Sequence, residues 1–223
     1  MDTSIFKGSV TEPEGLTKAR LLDVAERLFA DHGIDGASLR QITKEAGVNL
    51  GAVNYHFRTK EGLMVTVFNR RFGPLKQEQL NLLKQAEQQA GEGASTVEKV
   101  LEALLMPALR LAKAADTERQ IAMKLIGRIV TEPNPRIQDL LCSQQAEVRT
   151  AFTDALRRSL PQLSSADLTW RLELLWGALA FVLCNPGGME RATGGVCNPA
   201  DTQAVLAQMI AFFSAGLRAP SVT

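Results

Sequence analysis

The most constraining stretch of this chain is Ser38 to Lys60, SLRQITKEAGVNLGAVNYHFRTK, which has room for two short helices, a tight turn and the start of a third helix. Ser38-Leu39-Arg40-Gln41 fits the capping box, a hydroxyl residue with Gln or Glu three positions on, ahead of apolar Leu39, Ile42 and Ala46. Gly47 supplies the permissive backbone that ends the first helix. Val48 pins the turn to a core, and Asn49 caps a second helix beginning near Leu50. In that helix Val53 and Phe57 are four apart and face inward, which leaves Asn54, Tyr55 and His56 outside and Leu50 and Gly51 at the exposed start. A short helix whose first turn and outer face are small, polar or aromatic suits a DNA major groove. The spacing predicts a helix-turn-helix.

Charge agrees locally rather than globally. The formal net charge of the 223 residues is only +1, yet Ser38 to Lys60 carries Arg40, Lys44, Arg58 and Lys60 against Glu45 alone. Such an excess suits a duplex, because neutralising phosphates supplies much of the affinity and makes it salt-dependent. With 45% hydrophobic and 22% charged residues, the composition is that of a folded globular chain. Cys142, Cys184 and Cys197 show neither a CxxC pair nor metal-ligand spacing, which points to reduced thiols. No secretory signal is evident, and the longest apolar run, Leu174 to Cys184, falls well short of the roughly 20 residues that span a bilayer. The expectation is a cytoplasmic protein with no membrane partner.

Residues 1–15 read as a loose polar arm. Thr17 is positioned to cap a helix to about His32, with Leu21, Leu22, Ala25, Leu28 and Phe29 as its buried stripe and Gly33 as its end. Thr59 caps the next helix, carrying Leu63, Met64, Val67 and Phe68 inward, and Gly73-Pro74 is expected to bend, break or restart it. No flexible linker separates the first three helices from the remainder, so a helix across that border would transmit movement. Thr96 to Ala115 is helical in pattern with Pro107 in its middle, where a proline costs about 3 kcal/mol or more, kinks the axis and helps to open a cavity. A helix follows from Thr117 to Thr131. Asn134-Pro135 starts a long one to about Leu160, Ser164 or Ser165 starts another, and Asn198-Pro199 with Asp201 starts the last. No segment alternates like a strand. The fold class is all-α, with about nine helices.

Trp170 to Cys184 is apolar around almost its whole circumference, and the last helix carries Val205, Leu206, Met209, Ile210, Phe212 and Phe213, again more than one stripe. Either both are central core helices, or they form a homodimer interface. A two-fold dimer suits a DNA reader, since paired recognition helices match palindromic half-sites.

Ala19 to Leu63, ARLLDVAERLFADHGIDGASLRQITKEAGVNLGAVNYHFRTKEGL, resembles the TetR family of bacterial transcriptional regulators in order, spacing and residue type. The resemblance implies an all-α dimer with a helix-turn-helix domain over 16–60 and an effector-binding and dimerisation domain over 61–223, joined through the last two helices. It places Ser38 and Arg40 where the family approaches DNA, Asn49, Leu50, Gly51 and Asn54 at groove-facing positions, and Tyr55, His56 and Lys60 at phosphate-contacting positions. The side chains fit those roles: Arg40 forks onto guanine or holds a phosphate, Asn54 pairs with adenine, Leu50 touches a thymine methyl, and Lys60 favours phosphate. Several have a plainer reading as well, with Asn49 only capping and His56 only packing. Most family members have an aromatic where this chain has Asn54. GVNLGAVNYHF, WRLELLWGALAF and AFFSAGLRA are similar to fatty-acid-responsive or antibiotic-responsive regulators.

Catalysis has no visible apparatus, since the only histidines are His32 and His56 and no HExxH, G-x-S-x-G, P-loop or dinucleotide fingerprint occurs. No cofactor or metal is implied. The expected activity is repression at a palindromic operator on double-stranded DNA, released by a small apolar or amphipathic effector, of fatty-acid or acyl-CoA type first and antibiotic type second. A DNA-binding protein without an effector is the remaining alternative. Met106, Leu109, Met123, Ile126, Phe152, Trp170, Leu174, Trp176 and Phe181 are candidates to line a cavity, although core packing accounts for such residues equally well. Arg110 and Arg128 are candidates for an acidic head group, with a surface carboxylate as the plainer partner for either.

Overall fold

The computed structural model describes residues 14–113 and 116–222, so the expected arm over 1–15 lies almost wholly outside the described residues. Among those described there are eleven helices and no strand: α1 Glu14–Gly36, α2 Leu39–Ala46, α3 Leu50–Phe57, α4 Lys60–Ala90, α5 Val97–Leu111, α6 Asp116–Thr131, α7 Pro135–Ser143, α8 Ala146–Ser159, α9 Ser165–Cys184, α10 Pro186–Ala192 and α11 Thr202–Arg218. The all-α expectation holds. The chain divides into two compact units, one ending at Val67 and the other beginning at Phe68, so the division falls inside α4.

In the first unit α1 starts at Glu14, three residues before Thr17, which is therefore not its cap. Its helical path breaks at Gly33 (φ 76°, ψ 172°), where the sequence placed the end. Leu21, Ala25, Leu28 and Phe29 are buried with Ile42 of α2, Val53 and Phe57 of α3, and Leu63, Met64 and Val67 of α4. Each fully buried side chain of this size contributes about 1.5–3 kcal/mol. Gln41 completes only half of the expected capping box. Its N–H donates to Ser38 Oγ at 3.1 Å, but its side chain turns to Glu45 Oε1 at 3.1 Å. Glu45 also accepts Arg27 of α1, and this guanidinium bond, followed by the one from Gln41, holds its carboxyl below the usual range.

The second unit is built on α5, whose Val100, Leu101, Leu104 and Leu105 are fully buried and which packs against α8 and α11. α9 packs in turn against α6, α8, α10 and α11. Thr96 caps α5, Ser164 caps α9, and Asp201 caps α11, accepting the N–H groups of Gln203 (3.2 Å) and Ala204 (3.0 Å).

Three differences from the sequence reading have local causes. α4 neither breaks nor restarts at Gly73-Pro74 but continues as one helix through it. Side chains on either side of the proline, Asn69 and Lys76, both donate to Gln144, at 3.2 Å to its amide oxygen and 2.9 Å to its carbonyl, so both halves are held to one point. The second difference lies at the same contact. The long helix expected from Pro135 is split at Gln144–Gln145, where the Gln144 carbonyl is given to Lys76. The third is α10, a short helix opened by Pro186 that the sequence reading did not separate.

Pro107 lies within α5 and is buried. It has no N–H for the carbonyl one turn back, and its ring crowds that turn. The neighbouring Leu104 carbonyl accepts Gln79 Nε2 at 2.8 Å, which explains why a glutamine from a Gln/Lys/Glu-rich segment is buried. At the other end of α5, Arg218 donates through both terminal nitrogens to Glu98 at 2.5 and 2.8 Å. These bonds hold the Glu98 carboxyl down to about 2. No single helix among the described residues is long and apolar enough to cross a membrane.

Two outcomes follow. Gln79→Met leaves the Leu104 carbonyl without this partner and is expected to cost about 1–3 kcal/mol in denaturant unfolding. Glu98→Gln is expected to cost about 0.2–1 kcal/mol at neutral pH, because the pair is half-exposed and screened. The folded carboxyl titrates below the unfolded one. The advantage of the native chain is therefore complete above about pH 4.5 and shrinks as pH falls toward 2, as melting of both chains across that range would show.

Candidate functional site

α3 is only eight residues long and could not persist alone in water, so its caps and its buried face define it. Gly47 ends α2 in the left-handed region (φ 66°, ψ 34°) and turns the chain into Asn49, whose Oδ1 accepts the Ala52 N–H at 3.0 Å. Val53 and Phe57 fasten α3 to the core. What remains is an outer face of Leu50 (45% exposed), Gly51, Asn54 and Tyr55 (73% exposed), with Asn49 at its start. Arg40 is exposed on α2. His56 is half-buried between its neighbours, its ring 5.0 Å from Tyr55 and 5.9 Å from Phe57. Lys60 Nζ reaches back to the Asp35 carbonyl at 3.4 Å, a long contact that leaves the ammonium able to take another acceptor.

Ser38 and Asn49 each use a side-chain oxygen as a helix cap, Ser38 on Gln41 and Asn49 on Ala52. Arg40, Leu50, Gly51, Asn54 and Tyr55 remain as an exposed set with no catalytic grouping among them. Neutral donors and acceptors, one methyl-bearing side chain and flanking cations can read base edges and hold phosphates.

The corner after α3 was not legible in the sequence. The Thr59 N–H donates to the Phe57 carbonyl at 2.8 Å, two residues back, with Arg58 between them at φ 66°, ψ −52°. This is a γ-turn of the rare, strained hand, and a non-glycine residue there costs about 1–3 kcal/mol. α4 then starts with Thr59 Oγ1 accepting the Gly62 N–H at 3.0 Å. A Cβ on Gly62 would lie 2.2 Å from the Phe57 carbonyl oxygen, so only glycine allows α3 and α4 to meet this closely. A glycine in the first turn of a helix was the available signal.

Residues 21–67 match "Bacterial regulatory proteins, tetR family", and residues 102–216, just over half of the chain, match "Tetracyclin repressor-like, C-terminal domain". The chain belongs to the TetR family. Over 52 residues it is 42% identical to the HTH-type transcriptional regulator AcrR of Shigella flexneri, covering 23% of this chain and 24% of AcrR. It thus spans about a quarter of the length of the curated relatives it matches. Its fold is similar to that of the fatty acid degradation regulator FadR from Bacillus halodurans (TM-score 0.57, 17% identity, 92% of this chain and 97% of FadR). It is also similar to NalD, the secondary repressor of the MexAB-OprM multidrug efflux pump in Pseudomonas aeruginosa (TM-score 0.60, 20% identity, 89% and 97%).

The candidate effector residues of this TetR-family chain differ in burial. Leu109, Met123 and Phe152 are buried, and Met106, Ile126 and Arg128 are half-buried. Arg110 is exposed and paired with Glu78 at 2.8 Å, the plainer of its two readings. Trp170 (69% exposed) and Leu174 (63% exposed) lie on the outer side of α9, not in a cavity, because Leu168, Leu172, Leu175 and Leu179 take the inner side. Of the candidates, Phe152 and Trp176 border a cavity of about 60 Å³, together with Leu104 and Leu172. Arg149 and Glu173 form an ion pair at that cavity, with the guanidinium 5.8 Å from the Trp176 ring centre. Cys142, Cys184 and Cys197 are unpaired, and burial pushes the Cys184 thiol up.

Gly62→Ala is expected to push α3 off its seat. Far-UV circular dichroism of the whole chain should change little, while hydrogen exchange over 50–62 rises. An unchanged exchange pattern would show that the corner has slack.

Proposed function

We propose that this chain is a ligand-responsive transcriptional repressor that binds a palindromic operator in double-stranded DNA as a homodimer. The observation that carries the reading is the outer face of α3, where Leu50, Gly51, Asn54 and Tyr55 are presented outward by a helix that Val53 and Phe57 hold from behind. Arg40, His56 and Lys60 flank it, and the match to a family of regulatory proteins, not to an enzyme class, agrees. In this reading α3 enters the major groove, Asn54 takes adenine, Leu50 meets a thymine methyl, and Tyr55, His56 and Lys60 take phosphates. Residues 16–60 form the DNA-binding part and 61–223 the effector and dimer part. The exposed Trp170, Leu174 and Phe181 of α9 and Phe212 of α11 supply an apolar face for the second copy.

The effector is an apolar or amphipathic molecule of fatty-acid or acyl-CoA type. The cavity at Phe152 supports this by its chemistry. Leu104, Phe152, Leu172 and Trp176 suit a chain, and Arg149 can exchange Glu173 for an acidic head group. At about 60 Å³ it is far below the roughly 300–1,000 Å³ of a ligand site, so an effector must part the helices to enter. That demand supplies the differential affinity an inducer needs, with a coupling of about 1–3 kcal/mol being typical. α4 is shared by both units and carries Lys60 at its start and Gln79, on the α5 carbonyl, further along. It is the route by which release reaches α3.

A gel-shift titration on the DNA upstream of the chain's own gene tests this. Asn54→Ala is expected to cost about 1–3 kcal/mol on the operator and little on random DNA, whereas Lys60→Ala weakens both and lowers the salt slope by about one. Acyl-CoAs, free fatty acids and antibiotics are then added in turn. Release by none of them would end the effector reading, and wild-type binding by both variants would end the interface assignment.

A further inference from the structure

The C-terminal end of α11 is held in an unusual way. A helix normally leaves its last carbonyls to solvent or to a glycine cap. Here Arg171, on α9, collects them. Its Nη1 donates to the carbonyls of Gly216 (2.9 Å), Leu217 (3.1 Å) and Ala219 (2.8 Å), and its Nη2 to that of Pro220 (2.8 Å). One turn earlier on α9, Asp167 is only 2% exposed although it is a carboxylate. It accepts Ser164 Oγ at 2.8 Å, the Ser221 hydroxyl, and the Val222 N–H at 3.4 Å. Residues 216 to 222 therefore lie along the first turns of α9, held there through four backbone carbonyls, the Ser221 hydroxyl and the Val222 N–H. On its other side, the same end of α11 is tied to α5 by the bidentate Arg218–Glu98 pair.

Burying a carboxylate is costly unless its lone pairs are used. So much polar machinery on so short a segment points beyond ending a helix. The exposed apolar residues Trp170, immediately before Arg171, and Leu174 lie on α9, while Phe212 (73% exposed) lies on α11, one turn before the clamped carbonyls. The angle and register between these two helices determine whether those side chains form one face. Apolar packing between helices tolerates sliding, whereas a guanidinium shared by four carbonyls does not.

We infer that Asp167 and Arg171 form a latch on the C-terminal segment that sets α11 against α9, and that this latch positions the face on which a second copy of the chain docks. The inference rests on the homodimer reading above. Asp167 and Arg171 are positioning residues and touch no partner themselves. Removing or displacing the last few residues then loosens the dimer without unfolding the chain.

Sedimentation equilibrium of the full chain, of a chain ending at Arg218, and of Arg171→Met and Arg171→Lys tests this, with helix content followed by circular dichroism. The expected result is a wild-type dimer whose dissociation constant rises by about tenfold or more in the shortened chain and in Arg171→Met. Helix content should stay within the loss of the missing residues. Arg171→Lys should fall between wild type and Arg171→Met, since an ammonium can still donate to the carbonyls but not in the same fork. If the shortened chain fails to fold, the Arg171→Lys and Arg171→Met pair decides by the same ordering. A wild-type dimer whose dissociation constant is unmoved by these changes overturns the latch alone. A wild-type chain that stays monomeric overturns the dimer reading and the latch with it.

Discussion

The Phe57 carbonyl is the constraint on which the direction of α3 and its outer face depend. It closes a two-residue bond to the Thr59 N–H, holds Arg58 at positive φ, and lies where any side chain on Gly62 would have to go. A helix cannot continue through that arrangement, so α3 stops and α4 departs in a new direction. α3 has few other ties: its Asn49 cap, and the burial of Val53 and Phe57. With so short a helix, small changes at the corner re-aim Asn54 and Tyr55, and the groove contacts proposed for them tolerate little error. The strain at Arg58 is consistent with a direction maintained by its surroundings rather than by the local backbone.

The larger unit divides its labour between apolar magnitude and polar placement. Val100, Leu101, Leu104 and Leu105 of α5 supply the burial that other helices pack against. Such contacts are strong in sum but indifferent to small slides. Register comes from isolated polar ties at the places where the helical pattern is interrupted: Gln79 on the carbonyl beside Pro107, Gln144 bridging the two sides of Pro74, and Arg171 on the end of α11. Each sets a directional hydrogen bond between two helices.

Much of the candidate site was legible because it is local. Ser38, Gly47 and Asn49 do their work within three or four residues, and the pairing of Val53 with Phe57 follows from helical period alone. Arg58 and Gly62 were not legible, since nothing in their own spacing shows that a carbonyl five residues back approaches so closely. Gln79 sat in a stretch that reads as surface, and only the Leu104 carbonyl on another helix explains its burial. Trp170 and Leu174 were grouped with cavity-lining residues because apolar character does not say which side of a helix faces inward when every side is apolar. The inner side went to Leu168, Leu172 and Leu175, so both became surface.

By itself, the sequence determined that this chain is all-α, where most of its helices begin, and which short helix presents a polar and aromatic face, because caps and period act over one or two turns. The tertiary structure alone decided how sharply α3 is turned, which apolar side of α9 is left outward, and how the chain's last residues are clamped. The turn after α3 depends on how closely Gly62 approaches the Phe57 carbonyl, and the clamp on atoms brought together from 45 to 120 positions apart, as Arg171 with Gly216 and Arg218 with Glu98 show; neither is written in helical period or caps.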